Sequence, residues 1–236
     1  MLSAHGDLAA LEARLSVRFA DCALLVRALT HHSAVAGAPQ RDSYDTLEFL
    51  GDALIGARVV EHLFRTYPDA DEGELTALKS EVVSRRVLAR VGAALGLDAY
   101  VRVDVASLRT FNERSRESLR ADVVEALVAA IHLDAGRAAA DAFIEREILP
   151  LVPEVKATLG DQNPKGVLQQ HVLRQMGIVP RYELLEEGGA ANDRRYTVGV
   201  FAGDRLLATG SGTSIKDAGR EAARNALRGE VPGVAK

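Results

Sequence analysis

The sequence predicts two domains of different class: an all-α domain over residues 1–150 and, after a linker at 151–162, an α+β domain over 163–230 in the order α-β-β-β-α. Three observations carry that prediction. Apolar residues recur at helical spacing through the first domain, in stretches rich in Ala, Leu, Arg and Glu. Pro150, Pro153, Gly160 and Pro164 then crowd a segment in which a helix is not expected to continue. Beyond it, Arg195 to Phe201 alternates at period two, the mark of a half-buried strand.

Taken in order, the apolar spacing predicts helices over 7–16, 22–30, 44–66, 74–95, 116–133 and 137–149. The second domain opens with a helix at about 164–176 and continues with strands near 180–187, 194–202 and 205–211. Ala202-Gly203-Asp204 supplies the tight turn between the last two strands. Ser214 is placed to cap a final helix at 214–228, in which Gly219 costs about 1 kcal/mol relative to Ala.

Composition narrows the function. With 47% hydrophobic and 26% charged residues the chain has a globular balance, and no apolar run approaches the roughly 18 residues of a spanning helix. Met1 to Ala10 carries His5 and Asp7 where a signal peptide needs an apolar stretch, so a cytoplasmic location is expected. Cys22 is the one cysteine, and six scattered histidines form no ligand pattern, so neither a disulfide nor a structural zinc is expected. Net charge is −4, unevenly spread: residues 162–236 carry 11 Lys and Arg against 8 Asp and Glu, a net of +3, which leaves 18 against 25, a net of −7, for residues 1–161. A partner with phosphates therefore fits the second domain better than the first.

Two predicted helices carry acids where acids are unexpected. Between Leu47 and Val60 every residue is apolar or Gly except Glu48, Asp52 and Arg58, which predicts a helix buried nearly all round with two carboxylates one turn apart. Between Ala121 and Leu133 the only polar residues are Asp122, Glu125 and His132, and the two acids share a face at i, i+3. Unpaired buried carboxylates cost several kcal/mol or take up protons. Pairing with Arg58, Arg85 or Arg86 accounts for one such acid more readily than for two pairs. A divalent cation accounts for all four, and oxygen-only ligands favour Mg²⁺ or Mn²⁺ over zinc.

These residues carry a resemblance. Leu47-Glu48-Phe49-Leu50-Gly51-Asp52-Ala53-Leu54, preceded by Leu29-Thr30-His31-His32-Ser33 and followed by Arg116 to Leu127, resembles bacterial ribonuclease III, and the α-β-β-β-α tail resembles that family's double-stranded RNA-binding domain. The resemblance implies the family's helical nuclease fold and metal-dependent cutting of double-stranded RNA into products with 5′-phosphate and 3′-hydroxyl ends, in the processing of ribosomal and other RNA precursors. It also implies Glu48, Asp52, Asp122 and Glu125 as metal-binding acids, with Asp52 and Glu125 catalytic. Phe49 matches a residue that enters a socket on the partner subunit, which implies a homodimer. Asp45 stands where the family has an accessory glutamate, and Glu72 matches a second accessory acid.

The tail follows the family's plan with changes. Gln169 or Gln170 on the first helix, Asn192, Asp193 and Arg194 in the first loop between strands, and Lys216 with Arg220 on the last helix match the regions that grip RNA. Ile215-Lys216 replaces a common Lys-Lys pair, and Asn192 lies near where the family often has histidine. Such domains cross about 16 base pairs by shape, reading 2′-hydroxyls and phosphates. Two other functions compete: a double-stranded RNA-binding protein without catalysis, opposed by the intact acids, and an all-α hydrolase of nucleotides, opposed by the tail.

Overall fold

A computed structural model of the chain describes residues 7–35, 37, 42–189 and 194–229. It divides into two units, Met1–Val155 and Lys156–Lys236. Fold class is as the sequence predicts, helical first and α-β-β-β-α second.

In the first unit, helices α1 (Leu8–Leu15) and α2 (Cys22–Ala28) are each capped by an aspartate, Asp7 and Asp21, whose carboxylate accepts from a first-turn amide. Helix α3 (Asp45–Thr66) carries the first pair of acids. The expected helix at 74–95 is two helices, α4 (Glu72–Val82) and α5 (Arg85–Ala94). Asp71 and Glu74 form a capping box at the start of α4, and Ser84 caps α5, so local side-chain bonds start each helix separately. A short helix not expected from the sequence, α6 (Val105–Thr110), begins at Asp104, whose side chain accepts from Ala106 and Ser107. Helix α7 (Glu113–Ala135) carries the second pair of acids, is capped by Asn112 and ends at Gly136, whose φ of +86° a side chain resists. Helix α8 (Arg137–Glu147) follows at once.

The core of this unit is α7, with Val123, Val124 and every residue from Ala126 to Ile131 buried. Helix α3 corrects its expectation of all-round burial. Leu47, Leu54, Ile55, Val59 and Leu63 are buried, but Phe49, Ala53, Ala57, Val60 and Phe64 are exposed along one stripe, Phe49 at 82%. The helix is apolar on both sides and has a core for one of them.

The stretch read as an irregular linker is helical: α9 spans Val152–Gln162. Its prolines do not oppose this. Pro153 stands in the first turn, where an amide has no intrahelical acceptor to lose, and Pro150 lies in a 3₁₀ turn, Leu149–Leu151, just before.

In the second unit, α10 (Pro164–Met176) and α11 (Ile215–Arg228) pack on one face of an antiparallel sheet of β1 (Arg181–Gly188), β2 (Arg195–Ala202) and β3 (Arg205–Gly212). Register pairs Tyr182 with Val200 and Val198 with Gly210, so Leu168, Val172, Val200, Ala202, Leu207, Ala208, Ala222 and Ala223 close into one core. Gly203 makes the β2–β3 turn at φ +62°, and Ser214 caps α11 by accepting from Asp217.

Candidate functional site

One glycine brings the two acidic helices together. A Cβ on Gly51 would lie 1.8 Å from the Glu125 carbonyl oxygen, so the backbones of α3 and α7 touch where any side chain would part them. Glu48 is one turn before that contact and Asp52 the next residue after it. Carboxylate oxygens of Glu48, Asp122 and Glu125 consequently lie within 4.8 Å of one another, each residue half-buried. Asp52 is exposed and stands outside this trio, against the expectation that all four acids face away from water. Its charge still reaches the site, as the largest of the neighbouring charges acting on Glu125.

The electrostatics follow. Burial, then the charges of Asp52, Glu48 and Asp122, push the Glu125 carboxyl up to about 8. Burial, then Asp122 and Asp45, push Glu48 up to about 7. Asp122 is raised by burial, opposed by Arg85 and by the Tyr44 hydroxyl, which donates to its Oδ2 at 3.5 Å. Arginine offsets the cluster only in part: the charge of Arg85 opposes the rise at all three carboxyls without overcoming it. Arg58 is engaged by Glu145 and Glu61, and Arg86 by Glu81, while Arg85 donates to the Ser118 hydroxyl at 3.5 Å. Three converging carboxylates with surplus negative charge and no nitrogen or sulfur donor fit a hard divalent cation. Of the accessory acids, Asp45 lies 3.8 Å from His32 and Glu72 opens α4 in an exposed position; neither joins the trio.

In the second unit Gln169 is exposed on α10, Lys216 is exposed in the first turn of α11, and Arg220 follows one turn later, 3.9 Å from Asp217. Arg194 is exposed and bonds Glu187 at 2.9 Å. Asn192 lies outside the described residues. Gly219, read from the sequence as a weakness, is buried and makes room for another cation. A Cβ there would lie 2.4 Å from Lys165 Nζ, which stands 4.2 Å from the centre of the Tyr182 ring and within electrostatic reach of Arg220.

Residues 21–152 match the family described as ribonuclease-III-like, and residues 164–229 match the double-stranded RNA binding motif. This chain belongs to the ribonuclease III family. It is 39% identical to the Ribonuclease 3 of Symbiobacterium thermophilum, over 92% of this chain and 91% of that one, and 37% identical to the Ribonuclease 3 of Geobacter sulfurreducens, over 92% and 88%. Among solved structures, the nuclease domain of ribonuclease III from Campylobacter jejuni superposes with a TM-score of 0.55 at 32% identity, over 60% of this chain and 96% of that one. The protein is thus an endoribonuclease of the ribonuclease III type, acting on double-stranded RNA, with an acidic cluster suited to metal. No described helix is long and apolar enough to cross a membrane.

Three residues outside the predicted set shape these sites: Gly51, Tyr44 and Lys165. A glycine inside an otherwise strong helix former was the available sign for Gly51, since it costs about 1 kcal/mol unless close packing requires it. Nothing local marks Tyr44 or Lys165, whose surroundings are built by segments distant in sequence.

Proposed function

We propose that this ribonuclease III hydrolyses duplex RNA through divalent metal held by Glu48, Asp52, Asp122 and Glu125, with Asp52 and Glu125 as the catalytic pair and Mg²⁺, replaceable by Mn²⁺, as the ion. The convergence of three half-buried carboxylates within 4.8 Å carries the reading. When bound, the ion supplies a water of lowered pKa and neutralises charge developing on the leaving oxygen. Glu48, Asp122 and Glu125 would hold it at the contact of α3 and α7, and Asp52, exposed on α3 next to Gly51, would complete the set. Breaking the P–O3′ bond leaves 5′-phosphate and 3′-hydroxyl ends. Ribosomal and other RNA precursors in the cytoplasm are the proposed substrates. The test is cleavage of a long RNA duplex in Mg²⁺ beside EDTA and single-stranded controls; no cleavage of the duplex in Mg²⁺ would overturn it.

The domain limits that go with this reading are 1–150 for the nuclease, 151–162 for a helical connector and 163–230 for RNA binding. Gln169, Asn192, Arg194, Lys216 and Arg220 are the proposed RNA contacts. Lys216 stands exposed where Ile215 offers no charge. Each phosphate contact contributes about one unit to the slope of log affinity against log salt, so Lys216→Ala is expected to lower that slope by about one. Titrations at several salt concentrations on the Glu125→Gln background check it; an unchanged slope with unchanged affinity removes Lys216 from the interface.

A homodimer through α3 completes the proposal. Exposed Phe49, Ala53, Ala57, Val60 and Phe64 form an apolar stripe with Phe49 beside the acids, and the Campylobacter jejuni nuclease domain is described as having a region involved in dimer formation. Phe49→Ser in the full chain is expected to weaken the dimer by about 30-fold or more, the loss typical of a buried aromatic anchor. Sedimentation equilibrium measures it, and an unchanged dimer refutes Phe49 as the anchor.

The raised carboxyls also predict a pH dependence. In metal-free protein, Glu48 (about 7) and Glu125 (about 8) keep protons that the unfolded chain releases near 4.5, so their contribution to stability is complete below that value and is lost as pH rises through about 8. Metal requires the deprotonated ligands, so binding releases protons and tightens over the same window. The rise in Tm on adding Mg²⁺ is expected to be larger at about pH 8.5 than at about pH 6. Equal rises at both pH values would contradict it.

A further inference from the structure

We infer that Tyr44 is a positioning residue of the metal centre, its phenol holding the Asp122 carboxylate in the orientation that presents its second oxygen to the ion. The inference rests on the metal reading above and concerns a residue outside the acidic quartet.

Tyr44 occupies the N-cap position of α3, where Ser, Thr, Asp or Asn would stabilise the helix by capping, yet its side chain makes no cap bond. The ring is buried instead, at 4% exposure, and the hydroxyl crosses to α7 to donate to Asp122 Oδ2 at 3.5 Å. Its backbone is pinned on both sides. The amide donates to the Thr30 carbonyl at 2.9 Å, and the carbonyl accepts from Leu47 and Glu48 in the first turn of α3.

The ring is held edge-on by His31, centroids 5.8 Å apart, and His31 is itself flanked by His32 and Phe111. His31 Nδ1 shares a 2.8 Å hydrogen bond with the Ser33 hydroxyl, which accepts from the Asp104 amide. Among the described residues the Thr30-His31-His32-Ser33 segment pairs with Asp45 and bonds Asp104 but bonds none of Glu48, Asp52, Asp122 and Glu125. Through Tyr44 it nevertheless fixes where one of them points. A bond to one carboxylate oxygen leaves the other for a ligand, and in a phenol–carboxylate pair the hydroxyl is the donor. Outer partners of this kind set ligand orientation, and losing one weakens metal binding by about 10–100-fold.

The test compares the full-length parent with Tyr44→Phe, which keeps the ring and removes the hydroxyl. Mn²⁺ binding is followed by the electron paramagnetic resonance of the free ion, metal-free Tm by calorimetry, and kcat and KM on duplex RNA. Tyr44→Phe is expected to weaken Mn²⁺ binding about tenfold, lower kcat at fixed metal with KM unchanged, and leave metal-free Tm within a few degrees of the parent. On an Asp122→Asn background the same change is expected to cost no further Mn²⁺ affinity. Parent-like Mn²⁺ affinity in Tyr44→Phe, or an equal further loss on the Asp122→Asn background, overturns the inference, the second by marking a packing role. A parent that binds no Mn²⁺ overturns the metal reading itself, and a parent that binds Mn²⁺ with no effect of Tyr44→Phe overturns the positioning role alone.

Discussion

Glu125→Gln is expected to abolish cleavage of duplex RNA by at least about 10³-fold, equivalent to about 4 kcal/mol of transition-state stabilisation, while leaving the fold and RNA binding intact. Size and shape are kept and one ligand charge is removed. The electrostatics of the cluster sharpen the expectation, because Glu125 is the acid whose carboxyl is pushed furthest, to about 8, by burial and by Asp52, Glu48 and Asp122. A neutral amide relieves that repulsion, so metal-free Glu125→Gln is expected to melt no lower than the parent at about pH 8.5, where the parent carries the charge. The rise in Tm on adding Mg²⁺ should shrink in the same variant. Single-turnover cleavage, duplex binding in Ca²⁺ and calorimetry together test the set. Cleavage within tenfold of the parent would remove Glu125 from the catalytic machinery.

Gly51→Ala carries the second large effect. Its new Cβ would meet the Glu125 carbonyl oxygen at 1.8 Å and the carbonyl carbon at 2.4 Å, both backbone atoms of a buried helix that cannot turn aside. Either α3 moves away from α7, parting Glu48 from Asp122 and Glu125, or the core strains. Overpacking of this kind costs about 3 kcal/mol or more, a fall in Tm of roughly 6–12 °C for a chain of this size. Gly56, one and a half turns along the same helix, is the internal control. A Cβ there would meet only the flexible end of Lys79 at 3.6 Å, so Gly56→Ala is expected to be neutral or to stabilise by up to about 1 kcal/mol. If Gly51→Ala melts and cuts like Gly56→Ala, the close approach of α3 and α7 is not what builds the site.

The order of elements was legible because it depends on local chemistry. Period two at Arg195–Phe201, the turn at Gly203 and the cap at Ser214 are short-range signals, and the structure has β2, the β2–β3 turn and α11 there. In the connector the position of proline decides rather than its presence, and Pro153 sits where a helix tolerates it. The break between α4 and α5 leaves no mark in the periodicity, because Ser84 acts as a cap without any interruption of the apolar period.

By itself the sequence determined the two domain classes, the helices that carry Glu48, Asp52, Asp122 and Glu125, and the chemistry those residue types permit, because periodicity assigns each side chain to a face of its own helix. What a face meets is another matter. Only the tertiary structure decided that Gly51 lets α3 touch α7 so that three acids converge, that Asp52 and the Phe49 stripe stay exposed, that Tyr44 reaches Asp122, and that Gly219 makes room for Lys165. Each of these depends on the approach of two segments far apart in sequence, and that approach is set by how closely their backbones can pack.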